Sequence, residues 1–316
     1  MPDQTPSARL TLPTLGLLIL PPVLWAGNAV VGRMMQHTLP PFTFNFLRWV
    51  LAGAMLLPLA GWTLRRGSGL GAQWKRFALL GLLGVGLYNA LQYLALRTST
   101  PVNVTLVASS MPIWMLILGR VLYGVAIPRR AAIGSVLSLA GVAVVLSRGD
   151  IANLLQIRLV PGDAWMLLAS LNWAWYSWLL VRPPEGGYPA AIRGDWAALL
   201  FAQIVFGLCW SGVMTAGEWL LPLAAGHEAP TLVWGWPMVL ALIYVAVGPS
   251  LVAYRFWGAG VARVGPAIAG FFNNLTPLIA ALLSAALLGE LPKPYHGLAF
   301  LLIVGGIVVS SRRPGR

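Results

Sequence analysis

Acidic residues are scarce in this 316-residue chain, with eight Asp and Glu against 21 Lys and Arg. The eight are Asp3, Asp150, Asp163, Glu185, Asp195, Glu218, Glu228 and Glu290, and none falls near the centre of a long apolar run. That distribution leaves no buried carboxylate to serve as a proton or sodium switch. Cysteine is almost missing too. Cys209 stands alone, which excludes an intrachain disulfide and a cysteine-based metal site. The three histidines, His37, His227 and His296, lie at the ends of apolar runs. Nucleophilic and metal-assisted catalysis need converging Ser/His, Asp/Asp or His/Glu groups, and the apolar runs hold none. The chain reads as a non-enzyme with no metal and no cofactor. Charge of either sign is rare, at 9% of residues, where about 25% is usual in soluble domains.

What fills the chain is apolar surface: 58% of residues are hydrophobic and the mean hydropathy is +0.78. A membrane span needs about 20 mainly apolar residues. Ten such runs are present, at 12–34, 40–60, 75–96, 101–123, 129–147, 161–182, 195–215, 234–257, 264–287 and 291–311. The class is therefore all-α and polytopic, embedded in a lipid bilayer. The first run continues past the length of a signal-peptide core, so it reads as a retained helix. The longest gaps, 148–160 and 216–233, leave no room for a soluble domain. A net charge of +13 would suggest nucleic acid in a soluble protein. Here it follows membrane sidedness. With both termini cytoplasmic, fifteen basic residues fall inside, five outside, and Arg48 within a span. Positive charge concentrates on the cytoplasmic side of membrane proteins, so no nucleic-acid partner is needed.

Two stretches resemble each other, PVNVTLVASSMPIWMLILGRVLYGVAIP from Pro101 and PAIAGFFNNLTPLIAALLSAALLGELP from Pro266. In each, a second proline follows the first by eleven residues, Pro112 in one and Pro277 in the other. Ser109-Ser110 and Asn273-Asn274 precede these prolines. Trp25 similarly matches Trp173, 148 residues on, and Pro112 matches Pro277, 165 residues on. The chain thus divides into two five-helix repeats, 1–147 and 148–316. An odd span count inverts the second repeat, and such architectures place a substrate site between the halves. The expected architecture is two inverted five-helix repeats around a central cavity.

Polar groups inside spans are costly, and they mark function. Tyr88/Gln92 and Asn89/Tyr93 are i,i+4 pairs that make one face of the third span. The sixth span carries Asn172, Trp173, Trp175, Tyr176 and Trp178; the first carries Trp25 and Asn28 after a Pro21-Pro22 break. The fourth has Trp114, the ninth Asn273 and Asn274, and the eighth Gly248-Pro249-Ser250 and Tyr254. Together they suggest a cavity walled by aromatic rings with a few amides and hydroxyls, suited to a neutral or zwitterionic amphipathic molecule. Asn28, Tyr88, Asn89, Gln92, Trp114, Trp175, Trp178, Asn273 and Asn274 are the candidate substrate contacts. Arg48, midway along the second span, has two readings. It can bind a substrate carboxylate, or it can cap the carbonyls of a broken helix.

These residues bring a resemblance into view. Trp25-Ala26-Gly27-Asn28, Phe46-Leu47-Arg48, Ala95-Leu96-Arg97-Thr98-Ser99, Pro112, Pro277, Leu288-Gly289-Glu290 and the glycines around Gly305-Gly306 occur in this order. In them the chain resembles the drug/metabolite transporter superfamily, in its ten-helix EamA branch. One departure stands out: Gly124-Val125 occupies the first-half position of Gly289-Glu290. Within the branch, the Tyr88…Gln92 face, Trp114 and the Trp175/Trp178 pair resemble exporters of aromatic amino acids. That resemblance implies a monomer in the bacterial inner membrane, moving aromatic and other neutral amino acids outward through the cavity. A drug or metabolite exporter driven by proton exchange is the second reading. A non-transporting receptor or scaffold is the remote one.

Overall fold

A computed structural model describes residues 10–35, 37–99, 101–155, 160–228, 230–287 and 293–311, and Leu288-Gly289-Glu290 lie outside the described residues. The described elements are helical throughout. In chain order they are α1 (Leu12–Met35), α2 (Pro41–Ala60), α3 (Trp74–Gly81), α4 (Tyr88–Thr98), α5 (Pro101–Ala108), α6 (Met111–Tyr123), α7 (Arg129–Leu146), α8 (Ile151–Leu155), α9 (Pro161–Val181), α10 (Trp196–Ala224), α11 (Trp236–Val245), α12 (Ala253–Val264), α13 (Pro266–Phe272), α14 (Leu275–Leu287) and α15 (Pro294–Ser311). Two π-helical turns, Leu82–Leu87 and Ala246–Val252, join α3 to α4 and α11 to α12 into continuous helical runs.

Nine of the described helical runs are long and apolar enough to cross a membrane. With every backbone hydrogen bond satisfied internally, helices are one of the two structures a bilayer core permits. The expected sixth span, α9, is 21 residues long but is not among the nine. Asn172, Tyr176, two serines and four tryptophans lower its hydropathy. It packs at the heart of the bundle against α4, α6, α5 and α12.

Local chemistry explains where helices begin and end. Asp195 caps α10 by accepting from the Ala197 and Ala198 amides at 2.9 and 3.1 Å. Gly124, at φ +66°, closes α6 in the left-handed conformation that glycine adopts without strain. The first amides of α2 receive a carboxylate from far along the chain. Glu218 accepts from Phe42 N at 3.0 Å, Thr43 N at 2.8 Å and Thr43 Oγ1 at 2.8 Å. An anion at a helix N-terminus meets both the free N–H groups and the positive end of the dipole.

That contact corrects the expected seventh span. Read as 195–215, it runs as α10 to Ala224, so Glu218 and Trp219 sit on helix rather than loop. Trp219, the next residue on α10, donates to Thr43 Oγ1 at 2.8 Å. The expected Pro21-Pro22 break is a second correction: α1 passes through both prolines as one helix. Both are buried against neighbouring helices, and that packing holds the axis where two backbone donors are missing.

The pairs α7/α15 and α2/α10 pack along their lengths. On α7, Gly134 faces Gly306 and Ser310, while Gly141, two turns on, faces Ile303 and Ala299. The contacts run down α15 as they run up α7, so the two helices are antiparallel. Small residues at such a crossing let backbones approach closely in a membrane.

Candidate functional site

Arg48 is fully buried midway along α2. Its guanidinium has five N–H donors, and each finds an acceptor. Nε donates to Ser250 Oγ at 2.9 Å, Nη1 to Tyr93 OH at 2.7 Å and Asn28 Oδ1 at 3.2 Å, and Nη2 to Ser250 Oγ at 2.7 Å and the Val245 carbonyl at 3.3 Å. The reason lies in the π turn that follows α11. Pro249 has no N–H to offer the Val245 carbonyl four residues back. Arg48 and the Ser250 hydroxyl, at 2.7 Å, take that carbonyl instead. Of its two readings from sequence, this arrangement matches the cap on a broken helix. Its partners here are a hydroxyl, a phenol, an amide and a carbonyl, all neutral.

Asn28 extends the web. Its Nδ2 donates to Gln92 Oε1 at 3.1 Å and Asn89 Oδ1 at 3.4 Å, and its Oδ1 also accepts from Tyr93 OH at 2.8 Å. Asn89 in turn donates to Tyr254 OH at 3.4 Å. The polar face of the third span therefore meets α1, α2 and α12 at one place.

The π turn at Leu82–Leu87 is held by three helices. Four consecutive carbonyls, Leu83 to Gly86, each accept from a side chain. Asn172 of α9 reaches Leu83 at 2.7 Å, Tyr254 of α12 reaches Gly84, and Asn45 of α2 reaches Val85 at 2.8 Å and Gly86 at 3.2 Å. A π turn leaves its carbonyls misaligned for the ordinary helical ladder, and such turns recur at functional sites.

Around this web stands a ring of aromatics centred on Trp173, which is 1% exposed. Its ring centroid lies 4.7 Å from Tyr88, 5.0 Å from Tyr176, 5.2 Å from Trp25 and Tyr254, and 5.9 Å from Trp257. Trp49 stacks edge-on against Tyr254 at 5.0 Å.

Of the residues expected from sequence, the structure brings together Asn28, Arg48, Tyr88, Asn89 and Gln92. The rest lie apart from them. Trp114 donates to Ser110 one turn back at 3.1 Å. Trp178 donates to the Met115 carbonyl at 2.7 Å and packs beside Tyr123 and Arg182. Trp175 is 36% exposed, on the outer side of α9. Asn273 and Asn274 bond Met111 Sδ at 3.0 Å and Ser138 Oγ at 2.9 Å, against α6 and α7. Asn45, Trp49 and Trp257 belong to the cluster and carried no signal in the sequence beyond lying within expected spans.

The site is a buried aromatic and amide core inside a bundle of apolar helices. The profile of the EamA-like transporter family matches this chain over residues 12–147 and again over 160–312. The chain belongs to the EamA-like transporter family. As an EamA protein it is a multi-pass membrane transporter with a small-molecule substrate. It is 26% identical to the uncharacterised inner-membrane transporter YedA of Escherichia coli (strain K12), over 95% of this chain and 91% of that one. It is 24% identical to the aromatic amino acid exporter YddG of Ancylobacter novellus, over 92% of this chain and 93% of the relative. A solved crystal structure shares the fold with a TM-score of 0.69 at 22% identity, covering 94% of this chain and 95% of the other.

Proposed function

We propose that this EamA protein moves neutral amino acids, aromatic ones foremost, outward across the bacterial inner membrane by alternating access. The observation that carries the reading is the closed core itself. Seven aromatic rings surround a web of amides whose one charge is the buried Arg48. Rings suit an aromatic side chain, and amides with a cation suit a zwitterionic head group. The likeness to an aromatic amino acid exporter, 24% identical, points the same way. A cationic drug would meet Arg48 unfavourably, with no carboxylate among its partners to neutralise it.

The proposed frame is ten spans in two inverted halves, 1–147 and 148–316, acting as a monomer with both termini cytoplasmic. Several contacts support it. Helices α7 and α15 begin and end 165 residues apart. Their contacts are reciprocal. Gly134 meets the Gly306 carbonyl, and the residues 165 from each, Ala299 and Gly141, meet likewise. The two π turns occupy matched positions. Trp25 and Trp173, matched at 148, touch; so do Asn89 and Tyr254, matched at 165. A residue that touches its own counterpart lies on the axis relating the halves.

The direct test is uptake of labelled Trp, Phe, Met, Thr, Lys and Glu into proteoliposomes with no imposed ion gradient. Neutral amino acids are expected to enter faster than into empty vesicles, while Lys and Glu do not. No entry by any neutral amino acid removes the amino-acid reading. The lack of a mid-span carboxylate makes the process downhill, so accumulation against a gradient that collapses with a protonophore would refute that part. In the same vesicles Trp173→Ala is expected to reduce uptake at least about tenfold, given the several kcal/mol that loss of a buried Trp costs. Trp175→Ala, on the outer side of α9, should stay within about twofold of wild type. Equal losses in the two would mean the ring cluster is not the substrate path.

A further inference from the structure

Among the described residues, nine buried side-chain polar atoms lack a hydrogen-bond partner, and four of them belong to residues packed around Tyr254 and one π turn. They are Asn45 Oδ1 and Trp49 Nε1 on α2, and Asn172 Oδ1 and Trp173 Nε1 on α9. Their residues are 0%, 0%, 6% and 1% exposed. The other five, on Arg76, Tyr188, Thr215, Asn273 and Asn274, lie away from this cluster.

Convergence follows from the contacts already described. Asn45 and Asn172 hold carbonyls of the same π turn on either side of Gly84, Val85/Gly86 and Leu83. Trp49 and Trp173 both stack on the ring of Tyr254, whose hydroxyl takes the carbonyl between, Gly84. The amide orientations are fixed by chemistry. Each Nδ2 faces a carbonyl, which only a donor can satisfy, so each Oδ1 is the free atom. The site thus offers two free donors, both indole N–H, and two free acceptors, both amide oxygens.

A buried polar atom left unpaired costs stability, and four together, two of each kind, call for a ligand with both complements. We propose that these atoms are the head-group contacts of a zwitterionic α-amino acid. The indoles of Trp49 and Trp173 donate to its carboxylate, and the amide oxygens of Asn45 and Asn172 accept from its ammonium. Asn45 and Trp49 are one turn apart, on the same face of α2. The Arg48 guanidinium, 5.5 Å from the Trp49 ring, adds positive potential on the carboxylate side. In the arrangement described, aromatic rings fill the space between α2 and α9. The contacts form when those helices part. This inference rests on the amino-acid reading above and names the atoms that would give it specificity.

The experiment measures inhibition of labelled tryptophan uptake in proteoliposomes by tryptophan and by tryptophanamide, which lacks the carboxylate. In wild type the amide should compete roughly tenfold more weakly, the loss expected for one charge-assisted hydrogen bond. Trp49→Phe and Trp173→Phe keep the ring and remove the N–H. Each should weaken tryptophan roughly tenfold and leave tryptophanamide within about twofold, which also reports an intact fold. If either variant fails to fold, the wild-type ratio still decides. Equal competition by the two compounds in wild type overturns the assignment. So does equal weakening of both in the variants, which would leave the indoles a packing role. Absence of any amino-acid uptake by wild type overturns the assignment together with the reading beneath it, whereas uptake with an unchanged ratio overturns the assignment alone.

Discussion

Arg48→Leu should unfold readily and transport nothing. The substitution removes five hydrogen bonds at once. It strips the guanidinium from the Val245 carbonyl, and it removes the Nη1 donor that Asn28 Oδ1 and Tyr93 OH share. Each buried group stripped of its partner costs about 1–3 kcal/mol, so a loss of at least about 3 kcal/mol is expected. Thermal unfolding of the purified protein in detergent reads it directly. Arg48→Lys keeps the charge but has three donors on a point ammonium rather than five on a planar fork. It should fall between the two. The role argued for Arg48 also makes a sharper claim. Pro249→Ala restores an N–H for the Val245 carbonyl. In that background Arg48→Leu should cost about 1 kcal/mol less than it does alone. Additive costs would mean that Arg48 is not there for the carbonyl.

Gly306→Ala should be as damaging as a single methyl can be, while Gly305→Ala beside it should be silent. A Cβ at Gly306 would lie 2.6 Å from the Gly134 carbonyl oxygen and 2.9 Å from Ser138 N, both backbone atoms that cannot step aside. At Gly305 nothing lies within 4 Å. Overpacking of this kind costs about 1–3 kcal/mol. At Gly305 the better helix propensity of alanine offsets any loss, by up to about 1 kcal/mol. Gly141→Ala repeats the clash from the opposite helix, meeting the Ala299 carbonyl at 2.9 Å and Ile303 N at 3.0 Å. Its cost should match that of Gly306→Ala if the two positions are counterparts. Melting temperatures of the three variants check this, and equal shifts for Gly305→Ala and Gly306→Ala would dismiss the close crossing of α7 and α15.

Much of this architecture is legible in the chain because a bilayer makes simple demands. Most apolar runs of about 20 residues became helices within a few residues of the expected ends, while α12 runs seven residues and α10 nine past theirs, the latter where a side chain far away intervened. Glu218 is the case in point, since nothing near it in sequence announces that α2 needs its carboxylate. The polar face Tyr88, Asn89, Gln92 and Tyr93 was readable because i,i+4 spacing holds in a helix whatever surrounds it. On α9 that logic failed. Asn172-Trp-Ala-Trp-Tyr-Ser-Trp puts aromatics on every side, so pattern alone does not say that Trp173 faces inward and Trp175 outward. Only the helices packed around α9 decide. Asn45 and Trp49 were hidden for a related reason. Their importance lies in the atoms they leave unpaired, and pairing is a property of the whole packed bundle.

The two π turns carry a consequence of another kind. Each winds one residue more per turn than an α-helix, and one residue corresponds to about 100° of rotation about the helix axis. Everything beyond Leu87 and beyond Val252 is therefore out of phase with what precedes it. Shorten either turn by one residue and the composition barely changes, yet Tyr88, Asn89, Gln92 and Tyr93, or Tyr254 and Trp257, swing away from α1 and α2. The aim of these side chains is written as a count rather than as a chemistry, and a one-residue deletion there would be felt as a rotation.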